Sequence, residues 1–117
     1  MLRSLDHVGA AAVSIFIFHA AYKIVSPAVD KLIDRGATEE ELQQLHQLAE
    51  TTEGVRQVHA MRTRFIGCSR LAVDLHIEVD GDLSVREGHD ISEQVKQRLL
   101  ERGPSVMDVV VHLEPHS

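Results

Sequence analysis

A chain of 117 residues with a net charge of −6 is long enough for one small domain plus an appendage, and it carries no basic stripe for a nucleic-acid backbone. Trp is absent and other aromatic residues are few, so base-stacking platforms are missing too. The single cysteine, Cys68, excludes an internal disulfide and any cysteine-rich zinc motif, whereas eight histidines are many for this length.

The first and most apolar segment is Val8 to Val25, VGAAAVSIFIFHAAYKIV, broken only by Ser14, His19, Tyr22 and Lys23. Its length lies at the lower edge of what crosses a bilayer, roughly 17–25 residues. The pattern predicts one continuous membrane-type helix over residues 8–25. A buried packing helix is the alternative, because His19 and Lys23 lie four apart on one face. Asp6 beside Arg3 argues against a secretory signal. Lys23, Lys31 and Arg35 near its far end place the C-terminal side in the cytoplasm. Pro27 lies just past the run, Val29, Leu32 and Ile33 continue a helical spacing, and the Arg35-Gly36 helix-stop signal ends it, so Ser26 to Gly36 reads as a connector. Residues 1–36 are thus expected to form a membrane-type helix and linker, and residues 37–117 a separate domain.

Thr38 with Glu41 is a capping box, and Leu42, Leu45, Leu48 and Ala49 give the helix behind it an apolar face. That helix should stop near Glu53-Gly54. Val55 to Phe65 reads as a strand with imperfect alternation: His59 falls in phase with Met61 rather than Arg62. A bulge, or a place at the strand start, would redirect it. Leu71 to Val79 is a second strand, and the short link between the two predicts a hairpin. Ser84 with Glu87 is a second capping box, opening a helix to about Arg102. Gly103-Pro104 ends it, and Val106 to Pro115, VMDVVVHLEP, is the last strand. The soluble part is an α+β domain, α-β-β-α-β, with a three-stranded sheet and both helices on one face.

Alternation gives the last two strands one design. Leu71, Val73, Leu75, Ile77 and Val79 point one way, as do Val109, Val111 and Leu113. Val73, Leu75, Ile77, Val109, Val111 and Leu113 are expected under the helices, against Leu45, Leu48, Ile91 and Val95. The opposite faces carry Asp74, His76 and Glu78 on one strand, and His112 and Glu114 on the other. Imidazoles and carboxylates converging on one sheet face are ligands for zinc, and also accept cobalt, nickel, manganese or ferrous iron. Binding needs neutral imidazoles, so protons compete with the metal.

The order of an apolar helix, a short linker and α-β-β-α-β, with VHAMRTR, LHIEV, EGHDISEQV and VVVHLEP, resembles the C-terminal part of a cation diffusion facilitator. The resemblance runs from about Asp6 to Pro115. It implies the last transmembrane helix of a divalent-metal/proton antiporter of the inner membrane, followed by a cytoplasmic domain with a metallochaperone-like, ferredoxin-like fold that forms a homodimer. It also implies that His59, His76, His89 and His112 fall on the family's histidine positions. Glu114 stands where the best-known bacterial pattern has an aspartate, and Asp34 where an acidic residue ties the last helix to its neighbour. A second copy is expected to contribute ligands. The family's transport site uses an acidic pair on the second membrane helix and H-x-x-x-D or D-x-x-x-D on the fifth, and neither motif occurs here. The chain is therefore expected to be a piece of a transporter that does not transport alone.

The leading expectation is a regulatory metal-binding dimerisation domain, with zinc as the favoured ion and His59, His76, His89, His112 and Glu114 as its ligands. No catalytic residue and no nucleic-acid partner are expected. His7, His19, His46, His116 and Cys68 are expected outside the site. A free-standing ferredoxin-like module that dimerises without metal is the alternative. A metal-assisted hydrolase with Glu78 or Glu114 as base ranks last, since there is no Gly-rich phosphate loop, no H-E-x-x-H helix and no nucleophile elbow.

Overall fold

Pro27 does not end the first helix. α1 runs from Leu2 to Leu32 with Pro27 inside it. Proline removes one N–H and crowds the carbonyl four residues back, which disfavours a helix interior but leaves the rest of the ladder intact. Helices built for lipid tolerate this more readily than soluble ones. The helical spacing expected at Val29 and Leu32 is therefore part of α1. In this computed structural model residues 1–32 and 36–117 are described, so Asp34 and the stop signal at Arg35 lie outside the described residues. The chain divides into two compact units, Met1–Ile33 and Asp34–Ser117. In the first, the 28 residues Leu2–Val29 are long and apolar enough to cross a membrane, and none of their most apolar stretch is covered by protein.

The second unit holds α2 (Glu39–Glu50), β1 (Gln57–Ile66), β2 (Arg70–Val79), α3 (Val85–Arg102) and β3 (Val106–Pro115). Both helices begin where the sequence places a capping box. The Glu41 N–H donates to Thr38 Oγ1 at 3.3 Å, and the Thr38 N–H donates to Glu41 Oε2 at 2.8 Å. Ser84 and Glu87 repeat this at 3.2 and 2.8 Å. Each box occupies donors that a helix N-terminus otherwise leaves orphaned. The Glu87 carboxyl is held below its ordinary range by the Ser84 backbone N–H and, second, by the Ser84 hydroxyl, against a small opposing effect of burial. Gly54, at φ +90° in the turn after α2, also faces the α3 side chain Ile91, and a Cβ there would come within 2.6 Å of Ile91 Cδ1.

The sheet order is β1-β2-β3, a mixed three-stranded sheet. β1 and β2 form the expected antiparallel hairpin, and β3 returns parallel to β2 after α3. β2 is central, and its odd positions Leu71, Val73, Leu75 and Ile77 are completely buried. Leu45 and Ala49 of α2 and Val95 and Leu99 of α3 close over them, with Val109 from β3. Leu48, Ile91 and Val111 pack at the margin of this core and are only half-buried. Leu113 departs from the expected burial and is 40% exposed. It sits at the far end of an edge strand and faces the start of α3 at Gly88, where a Cβ would approach its Cδ2 to 2.6 Å. The cover over the sheet thins there.

Candidate metal centre

The face of the sheet turned away from the helices carries the polar positions of all three strands. In the parallel pair, His76 lies opposite His112 and Glu78 opposite Glu114. In the antiparallel pair, His59 lies opposite His76. One row across the sheet is thus three histidines wide, and the next pairs two carboxylates.

His59 reaches this row through a bulge. Between His59 and Arg62 the β1–β2 register shifts, with two residues of β1 set against one of β2. Ala60 takes a left-handed backbone, φ 51°, which for a residue with a Cβ costs about 1–2 kcal/mol. Parity changes across it. Before the bulge Val58 is buried and His59 points to the open face, and beyond it Met61, Thr63 and Phe65 turn inward while Arg62 and Arg64 turn out. In a regular, unbulged strand of this sequence, His59 would share a face with Met61.

The side chains converge closely. The His76 and His112 rings stack with centroids 4.6 Å apart, and the His59 and His76 rings tilt at 5.3 Å. Glu114 bridges the first two strands' histidines. Its Oε1 accepts from His76 Nδ1 at 2.6 Å and its Oε2 accepts from His59 Nε2 at 3.0 Å. Donor atoms of His59, His76 and Glu114 lie within 4.8 Å of one another, a separation that suits one small cation. The Glu114 carboxyl is held below its ordinary range chiefly by the hydrogen bond from His76, with His59 adding to the effect and desolvation opposing it. It is therefore a carboxylate at neutral pH, ready to ligate.

The five expected ligands are not all brought together in one protomer. His59, His76 and Glu114 form the cluster, and His112 is exposed beside it, stacked on His76. His89 is exposed on α3, on the helix side of the sheet, where it borders a groove with Lys96 and Val110. Of the residues expected elsewhere, His46 donates from Nε2 to the Val58 carbonyl at 3.3 Å, and Cys68 is exposed in the β1–β2 turn. His116, also expected outside the site, donates from Nδ1 to Glu78 Oε2 at 2.6 Å. Glu78 in turn lies 3.4 Å from His59 Nε2 through Oε1. The sequence reading places Glu78 on the ligand-bearing face but outside the expected ligand set, and His116 outside the site. The signal available was parity, since Glu78 lies in phase with His76, and Glu114 with His116 continues the spacing of two.

Residues 37–116 match the family of the cation efflux protein, cytoplasmic domain. The chain belongs to that family. Its members are transporters rather than enzymes, and the matched part is their cytoplasmic domain. Among relatives, the cation-efflux pump FieF of Serratia proteamaculans is 35% identical over 112 residues, covering 96% of this chain and 37% of the pump. Protein p34 of Rickettsia prowazekii is 26% identical over 111 residues, covering 95% of this chain and 36% of that protein. The chain thus spans little more than a third of the length of these relatives. Among solved structures, a MamM CTD variant matches with a TM-score of 0.64 at 28% identity, covering 68% of this chain and 96% of that one. A nickel form of another MamM CTD variant matches with a TM-score of 0.65 at 25% identity, over 68% of this chain and all of that one. The α+β domain of this chain has the fold of those domains.

Proposed function

We propose that residues 37–117 are a regulatory, metal-binding dimerisation domain of a divalent-cation efflux transporter of the inner membrane, and that residues 1–36 are its last membrane helix and linker. The observation that carries the reading is the convergence of His59 Nε2, His76 Nδ1 and a Glu114 oxygen within 4.8 Å on an open sheet face. Two imidazoles and one carboxylate suit zinc, and a set of three leaves one tetrahedral position free. A nickel form among the similar MamM domains supports a divalent ion of this class. Zinc is the ion we favour, and iron, manganese, cobalt and nickel accept the same donors.

Ring nitrogens of His59 and His76 lie 3.0 and 2.6 Å from the Glu114 carboxylate oxygens. A bound cation would take the place of the protons between them with little movement of the side chains. His112 and His89 are both exposed, so either can reach a site shared with a second copy of the chain. An ion held between two copies stabilises the dimer by mass action. In the parent transporter, closing the two domains would bias the helices attached to them, which links cytosolic metal to transport.

Calorimetric titration of the whole chain in detergent with zinc chloride near neutral pH tests this, together with light scattering with and without zinc. We expect zinc binding that the paired His59→Ala, His76→Ala change weakens at least tenfold, and a dimer favoured by zinc. Unchanged affinity in the double variant rejects the site. A dimer indifferent to zinc in a chain that still binds it rejects the regulatory coupling and leaves a dimerisation module.

A further inference from the structure

The end of the linker is seated on β1. The Ala37 backbone N–H donates to Thr63 Oγ1 at 2.8 Å, and the Ala37 side chain packs against the hydrophobic core. Gly36 lies so near the same residue that a Cβ there would come within 2.5 Å of the Thr63 carbonyl oxygen, and closer still to its hydroxyl. A main-chain carbonyl cannot swing aside as a flexible side-chain end can, so any other residue at this position would push the linker off the strand. Thr38, one residue on, caps α2. Residues 36–38 therefore tie β1 to the start of that helix.

The seat and the metal cluster share one strand. His59 and Thr63 stand on either side of the bulge, where the register with β2 shifts and Ala60 takes its left-handed backbone. On one side His59 pairs with His76, and on the other Thr63 pairs with Val73. Between them the ladder is broken and one residue is strained, so this is the stretch of β1 that its neighbour holds least. An ion that fixes His59 and a linker that fixes Thr63 order the same stretch from opposite ends. Two contacts that order one segment favour each other, and the coupling is reciprocal.

We propose that Thr63 and Gly36 are positioning residues that couple the metal cluster to the linker. An ion on His59 steadies β1 across the bulge, and the steadied strand holds Ala37 more firmly. This rests on the reading of His59, His76 and Glu114 as a metal site. Neither positioning residue belongs to the ligand set: Thr63 turns to the helix side of the sheet, and the ligands stand on the open face.

Amide hydrogen exchange of the full chain in detergent micelles, read by NMR with and without saturating zinc chloride, tests this. Zinc affinity is measured in parallel by calorimetry. Thr63→Val keeps the side-chain shape and removes the acceptor, so the Ala37 amide of the metal-free variant should exchange at least tenfold faster than in the wild type. Thr63→Ser should restore the protection. Zinc should slow the wild-type Ala37 amide at least threefold more than the Ser84 amide, which the capping box of α3 holds at 2.8 Å. By reciprocity, Thr63→Val and Gly36→Ala should bind zinc about threefold more weakly, and Thr63→Ser should not. Equal slowing of the two amides means that zinc only stabilises the fold as a whole, and overturns the coupling. Full zinc affinity in Thr63→Val overturns it too, and leaves the metal site standing. An Ala37 amide that exchanges equally fast in the wild type and in Thr63→Val overturns the seat itself, whether or not zinc binds. A wild type that binds no zinc removes the metal site and this coupling together.

Discussion

The two faces of the central strand β2 differ in every second residue and in almost nothing else. On one, Leu71, Val73, Leu75 and Ile77 are completely buried beneath α2 and α3. On the other, Asp74, His76 and Glu78 stay half-exposed and make their contacts sideways, to side chains of β1 and to the end of β3. The covered face gets its stability from removing apolar area from water, which needs no particular partner geometry. The open face gains little from burial, and its value lies in donor atoms held at ligand spacing. Stability and candidate chemistry therefore sit back to back on the same ten residues, and each can be changed with the other as control.

The largest expected effect comes from the covered face. Leu75→Ala should cost about 2–5 kcal/mol, because Leu75 is completely enclosed and the site cannot collapse freely. His76→Ala, one residue away on the other face, should cost about 1 kcal/mol or less in metal-free protein, the net worth of an ordinary hydrogen bond. Urea unfolding followed by circular dichroism in detergent, with chelator present, separates the two. Equal losses would mean that the open-face network is a structural element in its own right.

Deleting Ala60 probes how the two faces are kept apart on β1. With Ala60 gone, Met61 alone faces Leu75, and strict alternation keeps Val58 inside and His59 on the open face. Removing a left-handed residue that carries a Cβ should stabilise the fold by about 1–2 kcal/mol. Zinc affinity should be unchanged, as it should be in folded Leu75→Ala. Weakened zinc affinity in the deletion variant would show that the bulge itself, and not parity alone, aims His59 at the site.

That bulge also marks where the sequence stops being readable. The faces of β2 and β3 follow from parity alone, and both capping boxes place their helix starts within a residue. His59 is different. A non-glycine residue at positive φ inside a strand leaves no local signature, because the Ala60 strain is offset by pairing on either side. His116 follows a proline and looks like a tail, yet its N–H continues the ladder with Val79. Leu113 has the right parity, but its exposure depends on how far α3 reaches over β3. Each of these depends on a partner strand or helix that one-dimensional periodicity does not contain.

A smaller effect is expected where the covering layer is anchored. Ser84→Ala removes the oxygen that accepts from the Glu87 N–H at the start of α3, and should cost about 1 kcal/mol. Zinc affinity should not change, since α3 lies across the sheet from the open-face cluster. A loss of affinity in this variant would indicate that His89 on the same helix depends on that cap to reach a shared site.

The smallest effect is a pH dependence at the same cap. The Ser84 backbone N–H, then its hydroxyl, holds the Glu87 carboxyl below the ordinary value of 4.5. A carboxylate with a depressed folded pKa stabilises the fold fully above the ordinary value, and that contribution disappears as pH falls through the folded value. Glu87→Gln keeps an oxygen that can accept from the Ser84 N–H, but it carries no charge for the positive end of the helix and nothing to titrate. The wild type should therefore melt slightly above the variant near neutral pH, and the gap should close in acid, below the ordinary carboxylate range. Melts recorded at several pH values with chelator present keep the open-face histidines out of the comparison, because both proteins carry them unchanged. A gap that stays constant from neutral to acid pH would show that the cap acts through its hydrogen bonds alone, and that charge at the start of α3 adds nothing to the covered face.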